Sequence, residues 1–263
     1  MRETERRALL VEHLRTDGRA SVAELADGLG VTPSTIRRDL QRLAREGRLV
    51  RTYGGAAISD SVPAHDSGDR TDAKRAIARE AAALAADGTT IAISSGSTAL
   101  AFAREIADRS LTVITNALDV ANVLLDREGI ELIVLGGVVR PRMHSMLGHL
   151  AELAADELRA DTLFMGIGAI SIEQGLMNDS VPEILVDRAL RRMARSIVVM
   201  ADATKFEQVA PGYVFGLDAV DVLVTDDAVA PETVDALRAR GIDVRIAATD
   251  GVAEGMAAWG RGR

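Results

Sequence analysis

The chain of 263 residues carries a formal net charge of −8 and is 48% apolar, enough to bury a sizeable core and to exclude global disorder. It contains no cysteine, which excludes disulfides, thiolate metal sites and a cysteine nucleophile. No apolar run reaches the length of a membrane span, and Met1 is followed by charge instead of an apolar signal region, so a soluble cytoplasmic protein is expected.

Charge is unevenly spread. Residues 1–55 hold 11 arginines against 8 acids, a net of +3, and the remainder holds 20 basic against 31 acidic residues, a net of −11. A slightly basic head on an acidic body points to two modules with different partners. Only two of the basic residues are lysines, Lys74 and Lys205. Contact between the head and a polyanion must therefore come from placed arginines.

Residues 3–16 predict a first helix, with Ala8 and Val11 three apart and Leu10 and Leu14 four apart, ended by Asp17-Gly18. Ser21-Val22-Ala23-Glu24 is a capping box that opens a short second helix with Val22, Leu25, Ala26 and Leu29 inward, closed by Gly28 and Gly30. Thr32 then serves as an N-cap and Pro33 suits the first turn of a third helix. Its inner stripe is Ile36, Leu40 and Leu43, which leaves Ser34, Thr35, Arg37, Arg38 and Arg42 on other faces. Gly47 stops it. Arg48 to Gly55 alternate as a strand ending in paired glycines, which suits a β-ribbon wing with Arg51 and Tyr53 toward the DNA backbone or minor groove.

A tight turn between two helices, with small polar residues in the first turn of the second and arginines behind them, is helix-turn-helix design. That first turn reaches base edges in the major groove, and the arginines pair with phosphates or guanines. Three arginines alone would more often be a solvated face; the full constellation specifies double-stranded DNA. Ala57 to Arg70, rich in Ser, Asp, Gly and Pro, then reads as a linker. The expected division is a winged helix-turn-helix over 1–56, a linker over 57–71 and an α/β body over 72–263.

The body alternates helix and strand. Strands are predicted at 89–94, 111–115, 130–135, 162–165, 197–201, 220–225 and 244–246. Helices are predicted at 72–86, 98–107, 118–126, 148–158, 182–195 and 231–240. Short apolar strands separated by helices indicate a mainly parallel sheet covered on both faces, with ligands bound beyond the strand carboxyl ends. Those ends carry Ser94-Ser95-Gly96-Ser97-Thr98, Asn116, Gly136-Gly137 and Ala201-Asp202-Ala203-Thr204-Lys205. The first is a cradle for an anion at a helix N-terminus, but it lacks the spacing and lysine of a Walker loop. Lys205 would pair the anion, and Asp202, Asn116 and Asn178 would take hydroxyls. Each piece has a plainer reading as a turn, a cap or a surface charge. Their convergence on one sheet edge favours a small anionic ligand. The histidines at 13, 65, 144 and 149 show no metal spacing, and no metal or cofactor is called for.

The segments Ser21 to Ala26, Val31 to Leu40 and Gly54-Gly55-Ala56 resemble the N-terminal signature of DeoR-type bacterial transcriptional regulators, with Tyr53 where that family usually has His. The body is similar to their sensor domain at Lys74 to Ala78, Ser95 to Thr98, Thr115 to Leu118, Leu135-Gly136-Gly137, Asp161, Phe164, Gly166, Gly175-Leu176 and Ala201 to Phe206. Ser94 stands where the family usually has Asp, and Asp187 where it often has Lys. The resemblance implies a body fold related to ribose-5-phosphate isomerase and coenzyme A transferases. It also implies repression of a sugar catabolism operon, relieved by a phosphorylated sugar. Paired half-sites would require a homo-oligomer, a dimer or tetramer. Two other readings compete. One is a sugar-phosphate isomerase with an accessory DNA-binding head, using Asp202 or Glu183 as base and Lys205 as electrophile; the other is a DNA-binding scaffold with a vestigial body.

Overall fold

The computed structural model describes residues 6–7, 9–10, 19–45, 49–52, 55–58, 70–141 and 143–249. The chain divides into two compact units, residues 1–66 and 67–263. In the first, β1 (Arg19–Ser21) leads into α1 (Val22–Leu29), α2 (Pro33–Arg45), β2 (Leu49–Thr52) and β3 (Gly55–Ile58). The strands form an antiparallel sheet in the order β1-β3-β2, with Thr52 opposite Gly55. β1 has no sequence signal of its own, because three residues are too few for a period. β3 takes in Ala57 and Ile58, which composition had assigned to the linker; antiparallel pairing with both neighbours supplies what their apolar content did not.

The capping box is reciprocal. The Ser21 N–H donates to Glu24 Oε2 at 2.8 Å and the Glu24 N–H donates to Ser21 Oγ at 3.2 Å. Gly30, at φ 63, makes the left-handed turn between α1 and α2. The core holds Leu10, Ala20, Val22, Leu25, Ala26, Ile36, Leu40 and Leu43. Asp39 shares this interior. It is 3% exposed and takes Arg6 Nε at 2.6 Å and Arg7 Nε at 3.4 Å.

The second unit is built on seven parallel strands in the order β15-β14-β12-β9-β4-β5-β6. These are β4 (Thr90–Ile93), β5 (Leu111–Thr115), β6 (Ile130–Val134), β9 (Ala160–Gly166), β12 (Ala194–Met200), β14 (Val222–Asp226) and β15 (Asp243–Ala247). Their residues alternate between two cores. Ile91, Ile93, Val113, Phe164 and Val198 face α3 (Thr71–Ala82), α4 (Ser97–Glu105) and α5 (Leu118–Leu124). Ala92, Ile114, Leu163, Met165 and Val199 face α6 (His149–Glu157), α7 (Val181–Met193) and α8 (Pro231–Arg238). Burial on both faces is why the strands read as continuous apolar runs. Phe102 of α4 stacks on Phe164 of β9 with ring centroids 4.3 Å apart.

Strand order reverses direction between β4 and β9, and that switch point fixes where a ligand crevice opens. The polar edge is extended by two antiparallel pieces that hydrophobic period does not reveal. One is a hairpin of β7 (Val138–Arg140) and β8 (Ser145–Leu147); the other is a small sheet of β10 (Ala169–Ser171), β11 (Gly175–Asn178) and β13 (Gly212–Phe215). Gly137, at φ 136, begins the hairpin, and a Cβ there would lie 2.5 Å from the Leu147 carbonyl oxygen. No helix among the described residues is long and apolar enough to cross a membrane.

Removing the Asp39 carboxylate takes away the buried acceptor that Arg6 meets at 2.6 Å and Arg7 at 3.4 Å. Asp39→Ala is expected to destabilise the head by about 3 kcal/mol, read as a lower urea midpoint for the head transition in the full chain. An unchanged midpoint would show that Arg6 and Arg7 do not depend on it.

Candidate functional site

On α2 the apolar stripe Ile36, Leu40 and Leu43 is fully buried, so the remaining faces are turned outward. Ser34, Arg37, Arg38 and Arg42 are exposed and Thr35 is half-buried. Thr32 organises the first turn. Its Oγ1 lies 2.9 Å from Ser34 Oγ and 3.0 Å from Thr35 Oγ1, and it accepts the Thr35 N–H at 3.4 Å. One helical turn thus displays two hydroxyls with two arginines directly behind them. Arg51 lies on β2, its side chain outside the described residues, and Tyr53 lies outside them altogether.

At the sheet edge, a continuous run of contacts joins the residues that follow four strands. The β4 end supplies Ser94, which is buried and accepts the Gly166 N–H of β9 at 3.2 Å. Its hydroxyl is thereby committed to the backbone at the switch point. Ser95, Gly96 and Ser97 remain half-buried around the start of α4, with Gly96 at φ 117, and Thr98 is buried. Two residues past β9, the Gly168 N–H donates to Asn178 Oδ1 at 2.8 Å. The Asn178 Nδ2 donates to Asp187 Oδ2 of α7 at 2.7 Å. One turn earlier on α7, Glu183 Oε1 lies 2.8 Å from a guanidinium nitrogen of Arg140. Arg140 stands opposite Ser145 in the hairpin, and Ser145 bridges to Ala117, beyond β5. Asn116 closes the run by donating to the Met146 carbonyl at 3.3 Å. Gly136 is exposed, and Gly137 packs on the hairpin backbone.

Across β12, Asp202 caps a 3₁₀ turn at Ala203–Phe206. It accepts the Thr204 N–H at 3.1 Å and the Thr204 hydroxyl at 2.5 Å, which presents Lys205, half-buried, at the same edge. Arg70, held at φ 82 just before α3, places its guanidinium on Asp226 and 3.8 Å from Asp202. Asp226 in turn accepts the Ala203 N–H at 2.8 Å. One arginine therefore neutralises two buried carboxylates at the ends of β12 and β14. His144 bonds Asp119 at 2.9 Å, and the described residues hold no cluster of three or more metal-ligating side chains.

Sequence reasoning named Glu183 as a candidate base and Asp187 as a departure from the family, but did not place them together as inward acids of α7. Glu183 and Asp187 are 7% and 8% exposed. The Asp187 carboxyl is pushed up to about 7, first by burial and then by the nearby Glu183 charge, with the Asn178 hydrogen bond opposing both. The signal was present: Glu183, Asp187 and Leu190 recur at i, i+4 and i+7, a core stripe with carboxylates in it. Arg70 and Arg140 carried no such signal, because their partners lie far away in sequence.

A family model described as the DeoR C terminal sensor domain matches residues 69–227, and one described as the DeoR-like helix-turn-helix domain matches residues 6–62. The glycerol-3-phosphate regulon repressor of Escherichia coli (strain K12) is 32% identical over 231 residues, covering 86% of this chain and 92% of that one. The HTH-type transcriptional repressor CsqR of the same organism is 34% identical over 215 residues, covering 80% and 82%. Among solved structures, ribose 5-phosphate isomerase A from Methanocaldococcus jannaschii is similar at a TM-score of 0.38 and 22% identity, covering 51% of this chain and 53% of that one. Likeness at that level does not bear on function.

The Asp187 carboxyl yields a stability test. Between 3.8 and about 7 the folded state holds a proton that the unfolded state has released, so stability falls as pH rises through that window and stays low above it. Asp187→Asn mimics the protonated group at every pH. It is expected to raise stability on the order of 2 kcal/mol more at pH 8 than at pH 5, read from chemical unfolding at both values. An equal effect at the two would remove the buried-acid assignment.

Proposed function

The chain belongs to the DeoR family of transcriptional regulators, and from that premise we propose that it represses a sugar or carbohydrate catabolism operon until a phosphorylated sugar occupies its body. It is a DNA-binding transcriptional regulator, not an enzyme; family membership decides this against the isomerase reading. The observation that carries the proposal is that the two family matches fall on the two units, so that operator binding and sensing are joined in one chain. The names of the relatives, a glycerol-3-phosphate regulon repressor among them, support the effector class.

In this reading α2 enters the major groove. Ser34 and Thr35 meet base edges, Arg37, Arg38 and Arg42 meet guanines or phosphates, and Arg51 and Tyr53 of the wing meet the backbone. The effector phosphate rests on Ser95, Gly96, Ser97 and Thr98 at the start of α4, where unpaired N–H groups and the helix dipole favour an anion, and Lys205 pairs it. Asn116, Asn178 and Asp202 orient the carbon chain, while Ser94, Gly136 and Gly137 hold the edge in shape. Each chain has one such head, so paired half-sites call for a homo-oligomer, a dimer or tetramer.

Alanine at both Arg37 and Arg38 is expected to weaken operator binding more than roughly tenfold at fixed salt, since each good base contact is worth about 1–3 kcal/mol. A footprint at unchanged protein concentration would sink that assignment. A phosphorylated sugar, and not its neutral parent, is expected to raise the melting temperature of the full chain. A panel of phosphorylated sugars without any thermal shift would remove the sensing role.

A further inference from the structure

Arg70 stands where the chain enters the body. The described residues of the second unit begin with it, and the segment 59–69 that follows β3 leads directly into it. Its backbone is left-handed at φ 82, which a residue with a β-carbon adopts only at a cost. Its carbonyl accepts the Lys74 N–H at 3.1 Å, the first bond of α3. What holds it there is its guanidinium. One nitrogen lies on the fully buried Asp226 carboxylate, and Nε lies 3.8 Å from Oδ1 of Asp202, which is also buried. Both carboxylates hold the turn that carries Lys205 as well. Asp202 caps it through the Thr204 N–H, and Asp226 takes the Ala203 N–H. The start of α3 and the Lys205 turn are therefore fastened to the same two carboxylates, one from the linker side of the chain and one from the effector side. The two fastenings of Arg70 are unequal. Asp226 meets it in hydrogen-bond contact, whereas Asp202 meets it only at ion-pair range and accepts the Thr204 hydroxyl on the same oxygen.

We propose that Arg70 is the residue through which effector occupancy reaches the linker, an inference that rests on the proposed sensing role. Without a sugar phosphate, Arg70 sits on both carboxylates and the start of α3 is fixed. A sugar phosphate that pairs with Lys205 and sets a hydroxyl on Asp202 makes that carboxylate serve the ligand in place of Arg70. The arginine then keeps one partner where it had two. Its left-handed backbone is less well compensated, and the first turn of α3 loosens at the point where the chain passes to the head. A ligand shifts an equilibrium only by what it does differently in the two states, and here the difference is the partner of Asp202. Operator affinity and sugar affinity are then coupled reciprocally through this one carboxylate.

The test uses the full chain, a duplex that the full chain selects from a random library, and glycerol 3-phosphate, ribose 5-phosphate and glucose 6-phosphate as probes. In the wild type, the probe that binds tightest by calorimetry is expected to lower duplex affinity roughly fivefold or more, the ordinary size of a coupling between sites. In Arg70→Gln the ratio of duplex affinities without and with saturating probe is expected to fall toward one. The probe itself is expected to bind that variant at least as tightly, since Asp202 has lost its competitor. Arg70→Lys, which keeps the charge, is expected to restore part of the ratio. A merely structural role would weaken probe binding and leave the ratio at saturation unmoved in Arg70→Gln; that result overturns this inference and leaves the sensing role intact. Hydrogen exchange of the wild type gives a reading that no folding defect in the variant can shelter. Saturating probe is expected to speed amide exchange in the first turn of α3, and unchanged or slower exchange there overturns the inference. A wild type that binds a probe and keeps its duplex affinity overturns the proposed release along with it, and one that binds none of the probes overturns the sensing role.

Discussion

A parallel sheet gathers the carboxyl ends of all its strands on one edge, and this body places Ser94, Asn116, Asp202 and Asp226, all buried, at those ends. The constraint is geometric. Each strand end releases the chain into a turn whose N–H and C=O groups have left the ladder and need new partners. At the β4–β9 switch point the Ser94 hydroxyl supplies one, taking the Gly166 N–H. Two residues on, Asn178 takes the Gly168 N–H in the same way. These small bonds determine which side chains remain available. Ser94 and one end of Asn178 are committed to the backbone, while Ser95, Ser97 and Lys205 stay half-open at the rim.

Charge along the same edge follows from burial. Four carboxylates lie inside it, Asp202 and Asp226 on one side and Glu183 and Asp187 on the other. The first pair is answered by Arg70, which accepts a left-handed backbone at φ 82 to reach them. That conformation costs a β-carbon residue on the order of 1–2 kcal/mol, and the ion pairs with two desolvated carboxylates offset it. In the second pair Glu183 meets Arg140, and burial lets the Asp187 carboxyl keep its proton to near neutrality.

The head draws its stability from apolar burial and from polar ties between its elements. The eight buried apolar residues among those described are supplemented by the reciprocal Ser21–Glu24 cap and by Asp39, which ties α2 to the arginines at positions 6 and 7. Asp39 lies beside Arg37 and Arg38 in sequence but on the opposite side of the helix. The acid faces inward, so the outer face keeps its arginines without a carboxylate among them to repel DNA.

The sequence by itself determined the two modules, the helix-turn-helix and the alternating body, because capping boxes, glycine stops and hydrophobic period are local signals. It located Leu111–Thr115 to the residue and the other main strands to within a few, since buried parallel strands are continuous apolar runs between helices. It placed the outward face of α2 for the same reason, by subtraction of the inner stripe. Only the tertiary structure decided the rest. β1, β3, the β7–β8 hairpin and the β10–β11–β13 sheet are three or four residues each and exist through cross-strand pairing, which leaves no period to read. Likewise Arg70 meets Asp226 from 156 positions away and Arg140 meets Glu183 from 43, so neither spacing carries a signal. Which carboxylate is neutralised and which keeps its proton is a property of burial, and burial is settled when distant segments close around a side chain.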